Sequence, residues 1–209
     1  MSYSLLNNRC IPEGIHLAMG NIDHSQEDLQ VLGEDEIVEY KAIKSRNRKS
    51  EYINTRHLVK GLASKFGYLK SDFKIKKDEM GKPYGENDNE HLYLSIAHSS
   101  HYVICGLSDS RDLGVDLEPL NRKVHQGLKS RIFHPDEEDE IRSLPLIRIW
   151  TIKEALVKLH GWGLRTNLND LLLKKVGDTE FSTIFNNDKS ARICSFQHNE
   201  HWVSVAYYK

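Results

Sequence analysis

The sequence contains no long hydrophobic run. Its apolar stretches fall short of the roughly 20 residues that a helix needs to cross a bilayer, so we expect no membrane partner. The first nine residues are polar, and the stretch 11–19 is interrupted by Pro12, Glu13, Gly14 and His16. That interruption argues against a secretory signal peptide.

Cysteine is scarce as well. Cys10, Cys105 and Cys194 lie far apart and are odd in number, which argues against a disulfide framework and against zinc sites built from CxxC pairs. His98 and His101 share a spacing used by metal ligands, but no third ligand is apparent, so zinc is not expected. We therefore expect buried free thiols and a cytoplasmic protein.

Net charge is nearly absent too. The chain has 29 Lys and Arg against 30 Asp and Glu, a formal net charge of −1. This balance argues against nucleic acid as a partner, because nucleic-acid-binding domains usually present a basic face. The charges are nevertheless segregated, since residues 23–39 hold seven acids and no Lys or Arg, whereas residues 41–60 hold seven basic residues and one acid.

The overall composition is typical of a globular protein, with 39% hydrophobic and 28% charged residues over 209 positions. That length allows one large domain or two small ones. Helical and alternating apolar patterns in both halves predict an α+β fold, with an N-terminal subdomain, 1–112, and a C-terminal subdomain, 113–209. The predicted helices are 48–66, 122–131, 135–142 and 146–160, and the predicted strands are 91–97, 101–107, 113–118, 181–185, 192–197 and 202–207.

The segment Leu113–Glu118 alternates strictly between apolar and other residues. As a strand it places Asp116 and Glu118 on one face, beside Gly114. Two neighbouring carboxylates repel each other, which favours either a solvated edge or a bound cation. From the pattern alone, an exposed polar face and a metal site both remain possible.

The predicted helix 146–160 carries a second polar stripe. Trp150, Glu154 and Lys158 follow one another at four-residue spacing and share a face opposite the apolar stripe. One interpretation is a solvated face with an i, i+4 Glu–Lys pair. The other is a site in which Glu154 completes a metal-binding set and Lys158 meets a phosphate.

Five segments, taken in order, resemble the 4′-phosphopantetheinyl transferases, and in particular their Sfp-like two-subdomain group. Gly114–Glu118 and Trp150–Lys158, the latter followed by Gly-Trp-Gly-Leu at 161–164, resemble the paired signature of the family. The other three are Gly81-Lys82-Pro83, which resembles its GKP loop, the strand Leu94–Ser99, and the basic helix that begins near Arg48. The resemblance covers about 46–164.

The resemblance implies a fold and a reaction. The fold is a monomer of two similar subdomains, each a small antiparallel sheet with helices, with the site between them. The reaction moves the phosphopantetheine arm of coenzyme A, the co-substrate, to a serine of an apo acyl or peptidyl carrier protein and releases adenosine 3′,5′-bisphosphate. Mg²⁺ neutralises charge at the phosphoryl centre, and Asp116, Glu118 and Glu154 supply its oxygen ligands.

The resemblance also implies roles for individual residues. Glu154 accepts the serine proton, directly or through water, with Asp116 or a metal-bound water as rival bases, and Lys158 contacts a phosphate. Arg48 and Arg56 are the first choices for the coenzyme A 3′-phosphate. The full set of expected coenzyme A contacts is Arg48, Lys49, Arg56, Lys82, Pro83, His98 and Lys158.

The chain departs from the family pattern at two positions. Ala97 stands where many relatives have serine, so a hydroxyl contact to the ligand is either absent or made by Ser95 or Ser99. Trp162 places a large aromatic ring at the centre of the glycine turn. Two other functions stay open: a non-catalytic coenzyme A- or nucleotide-binding module, and another Mg²⁺-dependent phosphoryl transferase or hydrolase.

Overall fold

The computed structural model describes residues 2–25, 28–88, 90–163, 166–184 and 189–209. Within these ranges the strands form two antiparallel sheets accompanied by helices. The predicted α+β class is therefore confirmed. Leu164 of the glycine turn and Phe185, at the end of a predicted strand, lie outside the described residues.

The first sheet is built from residues 3–108. Its strands, in the order β1-β2-β6-β5-β4-β3, pair antiparallel throughout. The predicted strands 91–97 and 101–107 are confirmed as β5 and β6, whereas β1 to β4 were not predicted. Of these, β3 and β4 are short and polar and show no clear alternation. The bounds are β1 Tyr3–Leu6, β2 His16–Asn21, β3 Lys74–Lys77, β4 Pro83–Asn87, β5 Glu90–His98 and β6 Tyr102–Ser108.

The second sheet is built from residues 113–208. Its order is β7-β11-β10-β9-β8, again antiparallel. The strands predicted over 113–118, 192–197 and 202–207 are confirmed. The bounds are β7 Leu113–Pro119, β8 Lys174–Lys175, β9 Glu180–Ile184, β10 Ser190–His198 and β11 His201–Tyr208.

Two of the helices are long. These are α2 (Arg46–Lys65) and α5 (Leu146–His160), and both confirm predicted helices. The helices predicted over 122–131 and 135–142 are confirmed in part, because the chain is helical at 126–132 and 139–142 but not at 122–125 or 135–138. Glu137, in the second non-helical stretch, is buried, and its Oε1 lies 2.6 Å from Lys153 Nζ. The short helices are α1 (Glu34–Ala42), α3 (Lys129–Ile132) and α4 (Asp139–Arg142).

Each long helix covers one sheet with its apolar stripe. The α2 stripe holds Ile53, Leu58 and Leu62, all fully buried. Phe66, predicted to extend that stripe, is instead 38% exposed and stacks on His16, because α2 ends one residue before it. The α5 stripe predicted from the sequence is buried as expected: Ile149, Ile152, Leu156 and Leu159.

The two sheets meet along β5 and β7. The Ser95 hydroxyl of β5 accepts a hydrogen bond from the Val115 amide of β7 at 2.9 Å, and the Ser99 hydroxyl lies 3.1 Å from Nε2 of His201 at the start of β11. An apolar cluster shared by both halves includes Ile104 and Val205. These contacts hold side chains of the two halves next to one another.

The cysteine prediction was wrong for two of the three residues. The structure joins Cys10 and Cys194 in a disulfide, with their Cα atoms 5.6 Å apart, while Cys105 is a buried free thiol. The N-terminal loop thus returns to the second sheet, where the Tyr207 hydroxyl of β11 also donates a hydrogen bond to the Cys10 carbonyl. The argument from free thiols to a cytoplasmic location therefore no longer holds. In the described part of the chain, no helix is long and apolar enough to span a bilayer.

Candidate active site

Gly114 allows strand β7 to lie directly against helix α5. A Cβ at this position would overlap the carbonyl oxygen of Ala155 and the amide nitrogen of Leu159, both in the backbone of α5. The close approach lets Lys158 of α5 reach β7, where its Nζ donates to the Val115 carbonyl at 3.0 Å. The two segments of the paired signature are thus packed against each other.

Asp116 is buried on this strand and only half partnered. Its Oδ1 accepts a hydrogen bond from Lys158 Nζ at 2.9 Å, whereas its buried Oδ2 has no hydrogen-bond partner among the described residues. Burial raises the pKa of Asp116, and the charge of Lys158 opposes that rise. With 7% of the residue exposed, the alternative of an exposed polar face is wrong for Asp116. An unpartnered buried acceptor costs about 1–3 kcal/mol.

Glu118 faces a cation that the sequence analysis did not single out. Its side chain is 14% exposed and forms an ion pair with Arg122 in the turn after β7. Arg122 also lies over the Trp150 ring of α5, 5.8 Å from its centroid. The i, i+4 spacing of Glu118 and Arg122 was visible in the sequence, but only the turn after β7 brings the two side chains together.

The charges of both carboxylates of β7 affect the pKa of Glu154. Its pKa is raised first by burial and then by the charges of Asp116 and Glu118, while Lys158 and Arg122 act in the opposite direction. Mutual repulsion between carboxylates is the situation in which a cation is favoured. The three carboxylates therefore form one electrostatic cluster.

The donor chemistry of this cluster fits a hard divalent cation. Carboxylate oxygens are the ligands that Mg²⁺ prefers, and Oδ2 of Asp116 is a buried acceptor that lacks a partner in the described part of the chain. The side chains are not preassembled, however, because the described residues contain no group of three His, Cys, Asp or Glu placed to hold a metal ion. Lys158 and Arg122 are the counter-ions of the cluster in this structure.

A cleft of about 830 Å³ opens beside the cluster, with walls from both halves. Glu154 and Lys158 of α5 line it, and Lys82 and Pro83 of the GKP loop face them from the first half. Asp116 and Glu118 are not part of its lining. Further lining residues that the sequence analysis did not name for this role are Met80, Ile96, Leu128, Arg131, Val157 and Thr166.

His98 connects the cluster to the basic helix α2. Its Nε2 lies 3.8 Å from Oε2 of Glu51. Burial lowers the pKa of His98, and the charges of Glu51, Arg48, Lys158 and Glu118 all act on it. The start of α2 and the carboxylates therefore lie within electrostatic reach of one histidine.

Arg48 is available at the start of α2. Ser45 begins the helix by accepting the Arg48 amide at its hydroxyl, and the Arg48 side chain, 66% exposed, pairs with Glu51 at 3.1 Å. Lys49 lies over the Tyr40 ring, 5.0 Å from its centroid. Exposure leaves Arg48 free to exchange a surface ion pair for a phosphate, since such a pair contributes little to stability.

Arg56 has a different environment. Its guanidinium is 11% exposed, lies 3.3 Å from Glu36 Oε1 and 3.5 Å from Glu39 Oε2, and covers the Tyr52 ring. These contacts tie α2 to α1. The structure thus places Arg48 and Arg56 in different surroundings, and the assignment of either to the 3′-phosphate stays a prediction.

Lys82 is held by the connection before β7 and by the end of α5. Its Nζ donates to the two carboxylate oxygens of Asp112 at 2.6 and 2.7 Å and to the Leu159 carbonyl at 2.5 Å. The sequence analysis did not name Asp112, which immediately precedes the signature strand β7. No local pattern could reveal this pair, because 30 residues separate its partners.

The hydroxyls considered as substitutes for a serine at position 97 both accept hydrogen bonds within the chain. Ser95 accepts the Val115 amide, and Ser99 accepts the Tyr102 amide and contacts His201. Ala97 itself is 5% exposed and belongs to the apolar cluster between the sheets. Position 97 therefore packs against the interior in this chain.

Comparison with known proteins relates the second half of this arrangement to a family. Residues 112–206 match the sequence profile of the 4′-phosphopantetheinyl transferase superfamily, a range that begins at Asp112 and contains β7, α5 and nearly all of the second sheet. The chain is a relative of the 4′-phosphopantetheinyl transferases. The resemblance seen in the sequence is confirmed.

Individual relatives carry the same name. The chain is 25% identical to the 4′-phosphopantetheinyl transferase HetI of Nostoc sp. over 176 residues, 76% of this chain and 73% of HetI. It is 29% identical to Sfp of Bacillus subtilis over 133 residues, 60% and 58% of the two chains, and 27% identical to gsp of Aneurinibacillus migulanus over 108 residues, 48% and 44%. The chain thus spans about half the length of several relatives that it matches.

Proposed function

We propose that this protein transfers the 4′-phosphopantetheine arm of coenzyme A to a serine of an apo acyl or peptidyl carrier protein. The serine oxygen forms a bond to the phosphorus that bears the pantetheine arm, and the bond from that phosphorus to the bridging pyrophosphate oxygen breaks. The serine proton passes to a base, and adenosine 3′,5′-bisphosphate leaves with the bonding electron pair. We propose a monomer as the working form, as the resemblance to the two-subdomain group implies.

The observation that carries this proposal is the packing of the two signature segments at the cleft. Asp116 and Glu118 on β7 share an electrostatic cluster with Glu154 on α5, and Lys158, one helical turn beyond Glu154, is a cation at the cleft wall. Anionic phosphates need positive charge and a carboxylate-bound cation at this point. The relationship to the 4′-phosphopantetheinyl transferases supports the same reaction.

Mg²⁺, when bound, would supply charge neutralisation at the phosphoryl centre. The residues of this chain that would hold it are Asp116, Glu118 and Glu154, whose oxygen donors suit it. Lys158 would hold a phosphate of coenzyme A as a point charge. Glu154 lines the cleft and Asp116 is not among its lining residues, so we propose Glu154 as the acceptor of the serine proton.

A mass measurement tests the reaction. An apo carrier protein incubated with this protein, coenzyme A and Mg²⁺ is expected to gain the mass of the phosphopantetheine arm. A carrier in which the acceptor serine is replaced by alanine, and a reaction with chelator, serve as controls. Failure of several carriers to gain mass would contradict the proposal. Coenzyme A binding without turnover would favour a binding module, and hydrolysis without carrier modification would favour another phosphoryl enzyme.

Replacing Arg48 tests the coenzyme A end of the site. Arg48→Ala is expected to raise KM for coenzyme A by about tenfold, the scale of one lost charged hydrogen bond, and to change KM for dephospho-coenzyme A little. Arg46→Ala, which removes the same charge from an exposed position two residues earlier, is the matched control, because residues two apart lie on different sides of a helix. Equal effects of Arg48→Ala on both substrates would move the 3′-phosphate site elsewhere.

A further inference from the structure

Lys82 joins three parts of the chain at the end of helix α5. It belongs to the GKP loop of the first half, whereas Asp112 lies in the connection between the two sheets and Leu159 lies on α5 of the second half. The ammonium is 15% exposed and the Asp112 side chain 26% exposed. The three hydrogen bonds occupy all three donors of the ammonium group, so none is left over for a phosphate in this structure.

The C-terminal end of α5 suits a cation at this point. Backbone carbonyls in the last turn of a helix lack partners within the helix and carry partial negative charge. The helix ends at Gly161, whose φ of 72° is the left-handed conformation that glycine adopts readily. Lys82 therefore satisfies the Leu159 carbonyl directly, and the charge of Asp112 adds to the attraction.

The same turn of α5 carries Lys158, the cation proposed to hold a phosphate of coenzyme A. Lys158 directly precedes Leu159, and its Nζ reaches Asp116 and the Val115 carbonyl. Restraining the Leu159 carbonyl restrains the backbone from which Lys158 extends. A displacement of about 1 Å at a reacting group can cost about a hundredfold in rate, so a fixed end of α5 has a direct consequence for the cleft.

We propose that Lys82 is a positioning residue, which together with Asp112 clamps the end of α5 and sets the place of Lys158 at the cleft. This proposal rests on the proposed function for its effect on turnover. It differs from the expectation drawn from family resemblance, in which Lys82 contacts coenzyme A. Replacing Asp112 separates the two roles of Lys82. A clamp fails when Asp112 is replaced, whereas a contact between Lys82 and coenzyme A does not use Asp112, which has no positive charge to offer a phosphate.

The test uses Lys82→Met, Asp112→Asn and the double variant. Each single variant is expected to lower kcat by about tenfold while KM for coenzyme A changes less than about twofold, and the double variant is expected to lose no more than either single one. Lys82→Arg, which keeps the charge, is expected to retain most of kcat. Lys76→Met is the matched control, because Lys76 forms an exposed ion pair with Glu86 in the same sheet.

Amide hydrogen exchange supplies a readout that needs no turnover. Loss of the clamp is expected to speed exchange in the last turn of α5 at least about fivefold in Lys82→Met and Asp112→Asn alike, and to leave Lys76→Met at the wild-type rate. If the wild-type protein transfers no arm but exchange responds in this way, the proposed function fails and the clamp stands.

Two results would overturn the positioning role. One is a higher KM for coenzyme A in Lys82→Met with unchanged kinetics in Asp112→Asn, which would make Lys82 a phosphate ligand. The other is a purely structural ion pair. It would be shown if exchange at the end of α5 is unaltered in both variants, or if the variants lose stability while the folded protein keeps wild-type kcat.

Discussion

Asp116→Asn is expected to lower kcat for arm transfer by about a thousandfold. The substitution removes a negative charge from the carboxylate cluster, and a cation held by carboxylates contributes several kcal/mol to transition-state stabilisation, at about 1.4 kcal/mol for each factor of ten. The fold is expected to persist, because a neutral amide avoids the cost of burying a charge and the exposed fraction of Lys158, 31%, keeps its ammonium solvated. Carrier mass gain measured over time gives the rate.

The control for this experiment is Asp136→Asn. Asp136 is 82% exposed, lies outside the cleft lining, and has its carboxylate 3.9 Å from His134 Nδ1. Its substitution changes net charge by the same amount and is expected to leave the rate within about twofold, as is usual for surface positions. Binding of Mn²⁺, followed by its magnetic resonance signal, is expected to weaken in Asp116→Asn alone. If Asp116→Asn binds Mn²⁺ as the wild type does and keeps most of the wild-type rate, Asp116 is not a metal ligand.

Gly114→Ala is expected to disrupt the contact between β7 and α5. The new Cβ would overlap backbone atoms of Ala155 and Leu159, which cannot turn away as a flexible side chain can. Overpacking of this kind costs about 1–3 kcal/mol, and occasionally more when backbone must move. We expect a lower free energy of unfolding in urea, and loss of transfer because Lys158 no longer reaches Asp116.

Gly177→Ala is the matched glycine control. The nearest atom to a Cβ at Gly177 is the Glu180 Cβ, at an ordinary contact distance of 3.9 Å, and the residue lies before β9, far along the chain from the signature. Its stability and rate are expected to equal those of the wild type. A Gly114→Ala protein with wild-type stability and activity would mean that β7 and α5 do not pack as closely as the structure has them.

The elements that local patterning predicted are those with long, regular repeats. Helix α5 begins and ends where its 3.6-residue apolar stripe predicted, and β7 follows strict alternation. The short polar strand β3, Lys74–Lys77, has neither, and is a strand only because β4 pairs with it. The segment 122–131, predicted as one helix, is not helical at 122–125 and forms only short helical turns from 126 onward.

The candidate site divides in the same way. Residue type and spacing made Asp116, Glu118, Glu154 and Lys158 candidates but left a solvated face possible, and the family resemblance joined the four into one predicted site. Their partners were beyond local reasoning, since Arg122 meets Glu118 only through the turn after β7. Lys82 was predicted to contact coenzyme A, and in the structure its ammonium pairs with Asp112 in the connection between the two sheets, a partner that spacing could not reveal.

By itself the sequence determined the α+β class, the two long helices, the carboxylate and lysine set and the family to which the chain is related, because each of these follows from the order and spacing of neighbouring residues. Only the tertiary structure decided which groups meet: the Cys10–Cys194 disulfide, the unpartnered oxygen of Asp116, and the clamp of Lys82 and Asp112. Those contacts join residues far apart in the chain. Their energies depend on burial and distance in three dimensions, which no local pattern encodes.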